Sequence, residues 1–477
     1  MCRLLAFAAL RAGRDRRRQR RCLVPILLLL ICLAGTAATP AAARRSRLAL
    51  PGSDFRPEDA ESYRGWPLRE IVLQGNRRTR DEAVLRELFL QPGDAFDPDL
   101  LERDLHFLEG LSIFAAVGVS IAPDAGSLRV TYFLMERGDT RWGLVYPVAD
   151  YRDGDLRLGG VYRHRSLFGA REDLWLEYSR GWEERARISV GRPWLGSYPI
   201  DHRVDYRLVD RDDEDELHTE RVAVSFWLSL LRRRPLEHRF LFSVAWGERS
   251  FLAIPVEALT TKRERHYEQF SSVSLGYARD TRDSFLRPRR GGQLELTGTL
   301  YDPILGSTVN LRQFQVFATR YRVLPLGWVG ALGGEGVNRW GELFYKGVSS
   351  LGGLDSVRGY GGGSFDGWEG ATTAAGPRGR HHLLLRGELR HDLLPRFTLD
   401  LPILGVVDVQ LEAALFADAG FLWSRDRFLL PDGSRTRIHG AGGGLRVYTP
   451  VGDVLRCELG LGEAGRYELH LGSGMRF

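Results

Sequence analysis

The chain has 477 residues, a formal charge of +6 and four cysteines. Eight arginines against Asp15 give residues 1–43 a net charge of +7, which leaves −1 for the remainder, so a basic nucleic-acid-binding surface is excluded and nucleic acid is not an expected partner. Cys2, Cys22 and Cys32 fall in the same stretch; Cys457 then stands alone, with no intrachain disulfide or cysteine zinc site open to it.

Residues 1–43 combine that arginine-rich start with an apolar run from Cys22 to Ala34 and end on Ala41-Ala42-Ala43, the layout of a cleaved export signal. The run is shorter than the roughly twenty residues of a spanning helix. No later segment is apolar for long enough either, so a bilayer crossing would have to be made by strands. Residues 44–65 are polar and proline-broken, and are read as a flexible lead-in.

A small α+β unit is expected over 66–137. Leu68 opens a strand that ends in the turn Gly75-Asn76, and Thr79 with Glu82 reads as a capping box for a helix presenting Val84, Leu85 and Leu88. Asp97 and Pro98 start a second helix, with Leu101, Leu105 and Leu108 at helical spacing. Strands over Ile113–Ile121 and Leu128–Glu136 finish the unit, joined by the turn sequence P-D-A-G-S.

From Gly138 onward the chain becomes a series of short alternating segments broken by Gly, Pro and Asp. Val222, Val224, Phe226, Leu228 and Leu230 oppose Arg221, Ala223, Ser225 and Ser229; Val407, Val409, Leu411, Ala413 and Leu415 oppose Asp408, Gln410, Glu412 and Asp418. Charged groups opposite an apolar face on strand after strand suit a barrel with lipid outside and water inside better than a soluble sandwich. About sixteen segments are expected, near 140, 156, 172, 185, 202, 219, 238, 267, 292, 310, 328, 382, 407, 437, 453 and 467. The last alternates Tyr467, Leu469, Leu471, Met475 and Phe477 against Glu468, His470 and Arg476, and ends on an aromatic residue.

Between the eleventh and twelfth segments lies the glycine-rich run Leu351–Phe365, which carries Val357-Arg358-Gly359-Tyr360. Its triple glycine is no phosphate loop, having neither the lysine nor the following helix. A guanidinium held away from water needs a carboxylate: Asp418, inside Phe416-Ala417-Asp418-Ala419-Gly420, is one candidate, and Glu388, alternating inward with Arg386 and Arg390, is another. His381, His382 and His391 lack the spacing of a metal site, no metal or cofactor is expected, and no G-x-S-x-G elbow marks a hydrolase.

V-R-G-Y in a long loop followed by F-x-D-x-G on a later strand resembles the outer-membrane assembly and two-partner secretion superfamily, the bacterial surface antigen family of BamA/TamA type. Four further stretches, in order, extend the resemblance: Ser166-Leu167-Phe168-Gly169; Asp280-Thr281-Arg282-Asp283 with Pro288 to Gly291; Gly443 to Arg446 with Thr449 to Gly452; and the terminal alternation, which resembles a barrel assembly signal. Residues 66–137 resemble the periplasmic POTRA domain of that superfamily. The resemblance implies a mainly β fold, a transmembrane antiparallel β-barrel of about sixteen strands over 138–477 behind one POTRA domain, placed in the outer membrane with the POTRA domain in the periplasm. It implies a non-enzymatic protein that binds unfolded outer-membrane or secreted client chains and inserts or passes them, with outer-membrane lipid and accessory assembly proteins as further partners. In it the loop from about Gly341 to Arg380 folds into the lumen and Arg358 meets Asp418. Having one POTRA domain departs from the several of central assembly factors. A passive porin or ligand-binding barrel is the alternative; association with a patatin-type lipase is disfavoured by the missing elbow.

Overall fold

The structure, a computed structural model, describes residues 57–477 apart from 112, 153–154, 182, 212–215, 230–237, 254–263, 284–286, 345–350, 361–379, 402–404, 424–436, 449–453 and 474–477. The export signal, Met475 and Phe477 therefore lie outside the described residues.

The N-terminal unit consists of β1 (Leu68–Gln74), α1 (Asp81–Leu85), α2 (Pro98–Gly110), β2 (Phe114–Asp124) and β3 (Ser127–Glu136). Its sheet runs β1-β3-β2, with β1 parallel and β2 antiparallel to the central strand. Leu101 and Leu108 of α2 pack with Val84, Phe114, Val130 and Tyr132 into one core. Asp97 caps α2 by accepting from the Asp99 N–H at 3.0 Å. Two expectations change here. Residues 57–63, read as lead-in, form a 3-10 helix whose Ala60 is buried in that core. The capping box does not form: α1 starts after Arg80 with no side-chain cap, because Thr79 is turned away, its N–H donating to Glu136 and its hydroxyl facing Ser166.

A short helix α3 (Gly138–Arg141) leads into a sheet of sixteen antiparallel strands. They are β4 (Leu144–Arg152), β5 (Asp155–His164), β6 (Asp173–Arg180), β7 (Glu184–Arg192), β8 (Ile200–Arg211), β9 (Leu217–Ser229), β10 (Arg239–Ala253) and β11 (Glu264–Asp280). The second half is β12 (Gly291–Tyr301), β13 (Leu311–Val323), β14 (Val329–Gly341), β15 (His381–Leu401), β16 (Gly405–Trp423), β17 (Arg437–Tyr448), β18 (Val454–Leu461) and β19 (Tyr467–Ser473). Each strand pairs with its chain neighbours, and the sheet curls until β19 lies beside β4. Among the described residues no ladder joins those two, so the cylinder has a seam. Pro147 suits that edge, since it lacks an N–H and weakens β4 as a ladder partner.

The parity is that of a membrane barrel. Phe240, Phe242, Val244 and Trp246 of β10 face outward, Trp246 at 54% exposure, as do Tyr467 and Leu469 of β19. Arg386, Glu388, Arg390, Arg446 and Glu458 face inward and are buried. Apolar groups outside and charges inside is the arrangement lipid imposes on a barrel.

The POTRA unit is fastened to two turns at one end of the barrel. Arg78 Nε donates to the Ser166 carbonyl at 3.2 Å and its Nη2 to the Leu167 carbonyl, while the Arg80 N–H donates to the Gly169 carbonyl at 2.9 Å. Glu87 pairs with Arg171 and accepts from Trp194 Nε1 at 2.6 Å. The resemblance of the N-terminal unit to a periplasmic POTRA domain makes that end the periplasmic one, so the connections β5–β6, β7–β8 and every second one thereafter are periplasmic turns. The loop between β14 and β15 therefore starts from the opposite, extracellular end.

Candidate functional site

From that extracellular end, residues 351–360 dip into the lumen against the wall made by β15 to β19. Leu351, Val357 and Tyr360 join Leu384, Leu422 and Ile438 in a small apolar cluster. The backbone can lie this close because the wall beneath it is paved with glycine. A Cβ at Gly420 would stand 2.5 Å from Leu351 Cδ1 and 2.8 Å from Val357 Cγ2, and one at Gly440 would collide with the Arg358 carbonyl. Gly359 sits at φ +100°, where an L side chain is strained.

Arg358 is 1% exposed and its donors are shared among three carboxylates from three strands. Nε and Nη2 each donate to Asp418 of β16 at 2.7 Å, a bidentate pair, and the Arg358 backbone N–H reaches the same carboxylate at 3.1 Å. Nη1 donates to Glu388 of β15 at 2.7 Å and to Glu458 of β18 at 3.0 Å. The guanidinium carbon stands 3.6 Å from the centre of the Phe416 ring, which adds a cation–π contact. Next along the loop, the Gly359 N–H donates to His470 Nε2 of β19 at 3.1 Å, and the Tyr360 hydroxyl donates to the His439 carbonyl of β17 at 3.1 Å while accepting from the Glu463 N–H. Successive loop residues thus grip every strand from β15 to β19.

The carboxylates have further partners. Arg446 donates to both Glu388 and Glu458 at 2.7 Å, Arg390 to Glu388 at 2.9 Å, and Arg456 to Glu458 and to Asp355 of the loop itself. Five guanidiniums, of Arg358, Arg386, Arg390, Arg446 and Arg456, gather around the buried carboxylates of Glu388, Asp418 and Glu458 and the half-exposed one of Asp355. Burying charge is costly unless it is paired and hydrogen-bonded, and each of the three buried carboxylates accepts at least two guanidinium hydrogen bonds.

The structure therefore brings Arg358, Asp418 and Glu388 together, with Val357, Gly359, Tyr360, Phe416 and Gly420 around them. Asp280 and Asp283 lie elsewhere, in the periplasmic β11–β12 turn: Asp280 accepts from Arg282 at 2.6 Å, and Asp283 accepts the backbone N–H groups of Arg289 and Arg290. Glu458, Arg456 and His470 were missed as members of the cluster. Their inward placement had a signal, Arg456 and Glu458 at one parity between outward Leu455, Leu459 and Leu461, but their membership of the cluster had none. His381 and His382 open β15, the former accepting from the Arg339 N–H, while His391 lies midway along the strand and faces the Leu326 carbonyl.

A sixteen-stranded barrel of this parity, with a charged loop bound inside and one POTRA unit at its periplasmic end, is an outer-membrane β-barrel protein with a periplasmic domain. The profile described as the Omp85 superfamily domain matches residues 168–477, and the POTRA profile, described as a surface antigen variable number repeat, matches residues 67–137. The chain belongs to the Omp85 superfamily. It is 25% identical over 312 residues to the outer membrane protein assembly factor BamA of Nitratidesulfovibrio vulgaris; the match covers 61% of this chain and 37% of that protein, so the chain spans little more than a third of that relative's length. Among solved structures it resembles CdiB from Escherichia coli, with TM-score 0.54 and 17% identity over 86% of this chain and 75% of that one. It also matches BamA from Haemophilus ducreyi lacking POTRA domains 1–3, with TM-score 0.49 and 16% identity over 85% and 83% of the two chains.

Proposed function

We propose that this protein is an assembly or translocation factor of the outer membrane, which takes unfolded β-rich client chains from the periplasm and inserts them into the bilayer or passes them across it. The observation that carries the reading is the seam: β4 and β19 are neighbours with no ladder between them among the described residues. Unpaired strand edges in lipid are costly, and a client strand that pairs with one relieves that cost while gaining its own hydrogen bonds. β1 and β2, the outer strands of the POTRA sheet, offer a similar edge for capturing an extended chain. The work is mechanical and non-enzymatic. In this reading the Arg358 loop holds one wall of the seam in shape, with Asp418 and Glu388 as its anchors.

The test is to close the seam reversibly. Cysteine pairs stepped along β4 and β19, in a Cys457→Ser background, are oxidised in proteoliposomes and offered an unfolded outer-membrane barrel protein. Insertion is expected to stop on oxidation and return on reduction. A locked seam that leaves insertion intact, alongside steady ion conductance in planar bilayers, would instead favour a passive pore.

A further inference from the structure

Most of the outward surface is coated with large apolar side chains, but Gly334 and Gly336 of β14 break that coat. Two adjacent cross-strand rows read Val316–Gly336–Leu383 and Ala318–Gly334–Leu385, all outward. The two glycines sink the middle strand between bulkier neighbours and leave an open trench of about 550 Å³ on the lipid-facing side. That volume lies within the range of about 300–1,000 Å³ typical of small-ligand sites. In the next row toward the periplasm Arg320 stands at the trench end, and Arg322 follows at the same parity, just before the periplasmic turn Pro325–Gly327. Among the described residues neither arginine has an ion pair or hydrogen bond through its side chain.

We infer that this trench binds a diacyl phospholipid of the periplasmic leaflet, one acyl chain lying over Gly334 and Gly336 and the phosphate held by Arg320 and Arg322. Outward arginines are tolerated in barrels near the interface, where a headgroup phosphate supplies the missing anion with charge-assisted hydrogen bonds. The trench itself accepts hydrocarbon rather than peptide. Its backbone N–H and C=O groups are spent in the β13–β14 and β14–β15 ladders, so a polypeptide lying there would leave its own polar groups unpaired in lipid. The site is on the barrel wall away from the seam, and the inference stands whether or not the client reading holds.

The test uses the full chain, purified in mild detergent, given phosphatidylglycerol and examined by native mass spectrometry. One retained lipid per chain is expected. Arg320→Gln with Arg322→Gln should weaken its retention about thirtyfold, which corresponds to two arginine–headgroup attractions of about 1 kcal/mol each. Gly336→Leu should abolish retention by filling the floor; a Cβ there meets only Leu383 Cδ1 at 3.9 Å and the His382 carbonyl at 4.0 Å, so the strand has room for it. Heat-modified gel mobility reports that both variants still fold, and the surface arginine pair decides the matter if Gly336→Leu does not. Unchanged lipid retention in the arginine variant, displacement of the lipid by inorganic phosphate alone, or loss of a bound polypeptide in place of a lipid would each overturn the inference.

Discussion

Replacing Arg358 by alanine is the most informative perturbation of the lumenal cluster, because the three carboxylates it serves are unequally provided for. Glu388 and Glu458 keep Arg446, and each keeps a second arginine, Arg390 or Arg456. Asp418 is different: among the described residues its hydrogen bonds all come from Arg358, two from the guanidinium and one from the backbone. Arg358→Ala therefore takes every hydrogen bond from one buried carboxylate and leaves it only the charge of Arg386, its cross-strand neighbour, so a cost of about 3 kcal/mol, the low end for a broken buried pair, is expected. Asp418→Ala removes that carboxylate itself, leaving Arg358 with Glu388 and Glu458, and should cost less. The double variant should be more stable than the sum of the two single losses predicts, by about 2 kcal/mol, since the carboxylate that Arg358→Ala leaves without hydrogen bonds is then gone. Asp355→Asn serves as the comparison within the same loop; half-exposed, its bond to Arg456 should contribute about 1 kcal/mol or less. Urea unfolding of the folded barrel, followed by tryptophan fluorescence, measures all four. Strict additivity of Arg358→Ala and Asp418→Ala, or an equal loss from Asp355→Asn, would refute the claim that the loop is held by this pair.

Three other outcomes are expected. Gly420→Val should push Leu351 and Val357 off the wall, and appear as new protease cleavage within residues 351–360 while the strands stay resistant. Asp104, buried among the Phe89 and Leu90 N–H groups and the Tyr132 hydroxyl, is pushed by burial up to about 7 from an ordinary carboxylate value near 4. The folded state then holds its proton where the unfolded chain has lost it, so POTRA stability should fall as pH rises from about 4 to about 7, by up to about 1.4 kcal/mol per pH unit, and Asp104→Asn should flatten that slope in hydrogen exchange of the β3 amides. Glu87→Gln, which discharges the carboxylate between Arg171 and Trp194, should widen the spin-label distance distribution between α2 and the β7–β8 turn; an unchanged distribution would mean that the Arg78 and Arg80 contacts to the Ser166–Gly169 turn fix the domain alone.

The barrel was legible in the sequence because lipid enforces a period of two: sixteen strands form where sixteen alternating segments are expected, each within a few residues. The bond from Arg358 to Asp418 could be anticipated because each stands in a recognisable motif. Glu458 and His470 could not, because an inward charge looks alike on every strand and only the three-dimensional fit decides which of them a loop reaches. Thr79 misled for a related reason. A capping box is a local rule, and here the contacts between domains claimed the residue first. The unpaired seam left no trace in the alternation, since edge strands of a barrel carry the same pattern as paired ones.

The loop's anchors fall on one flank. From Glu388 on β15 to His470 on β19 every bond ties neighbouring ribbons into a braced panel, while the described part of the loop places no such strut across β4 to β13. A cylinder stiffened on one side bends on the other, so when its margin parts from β4 the pliant first strand should swing and the braced last one should hold its line.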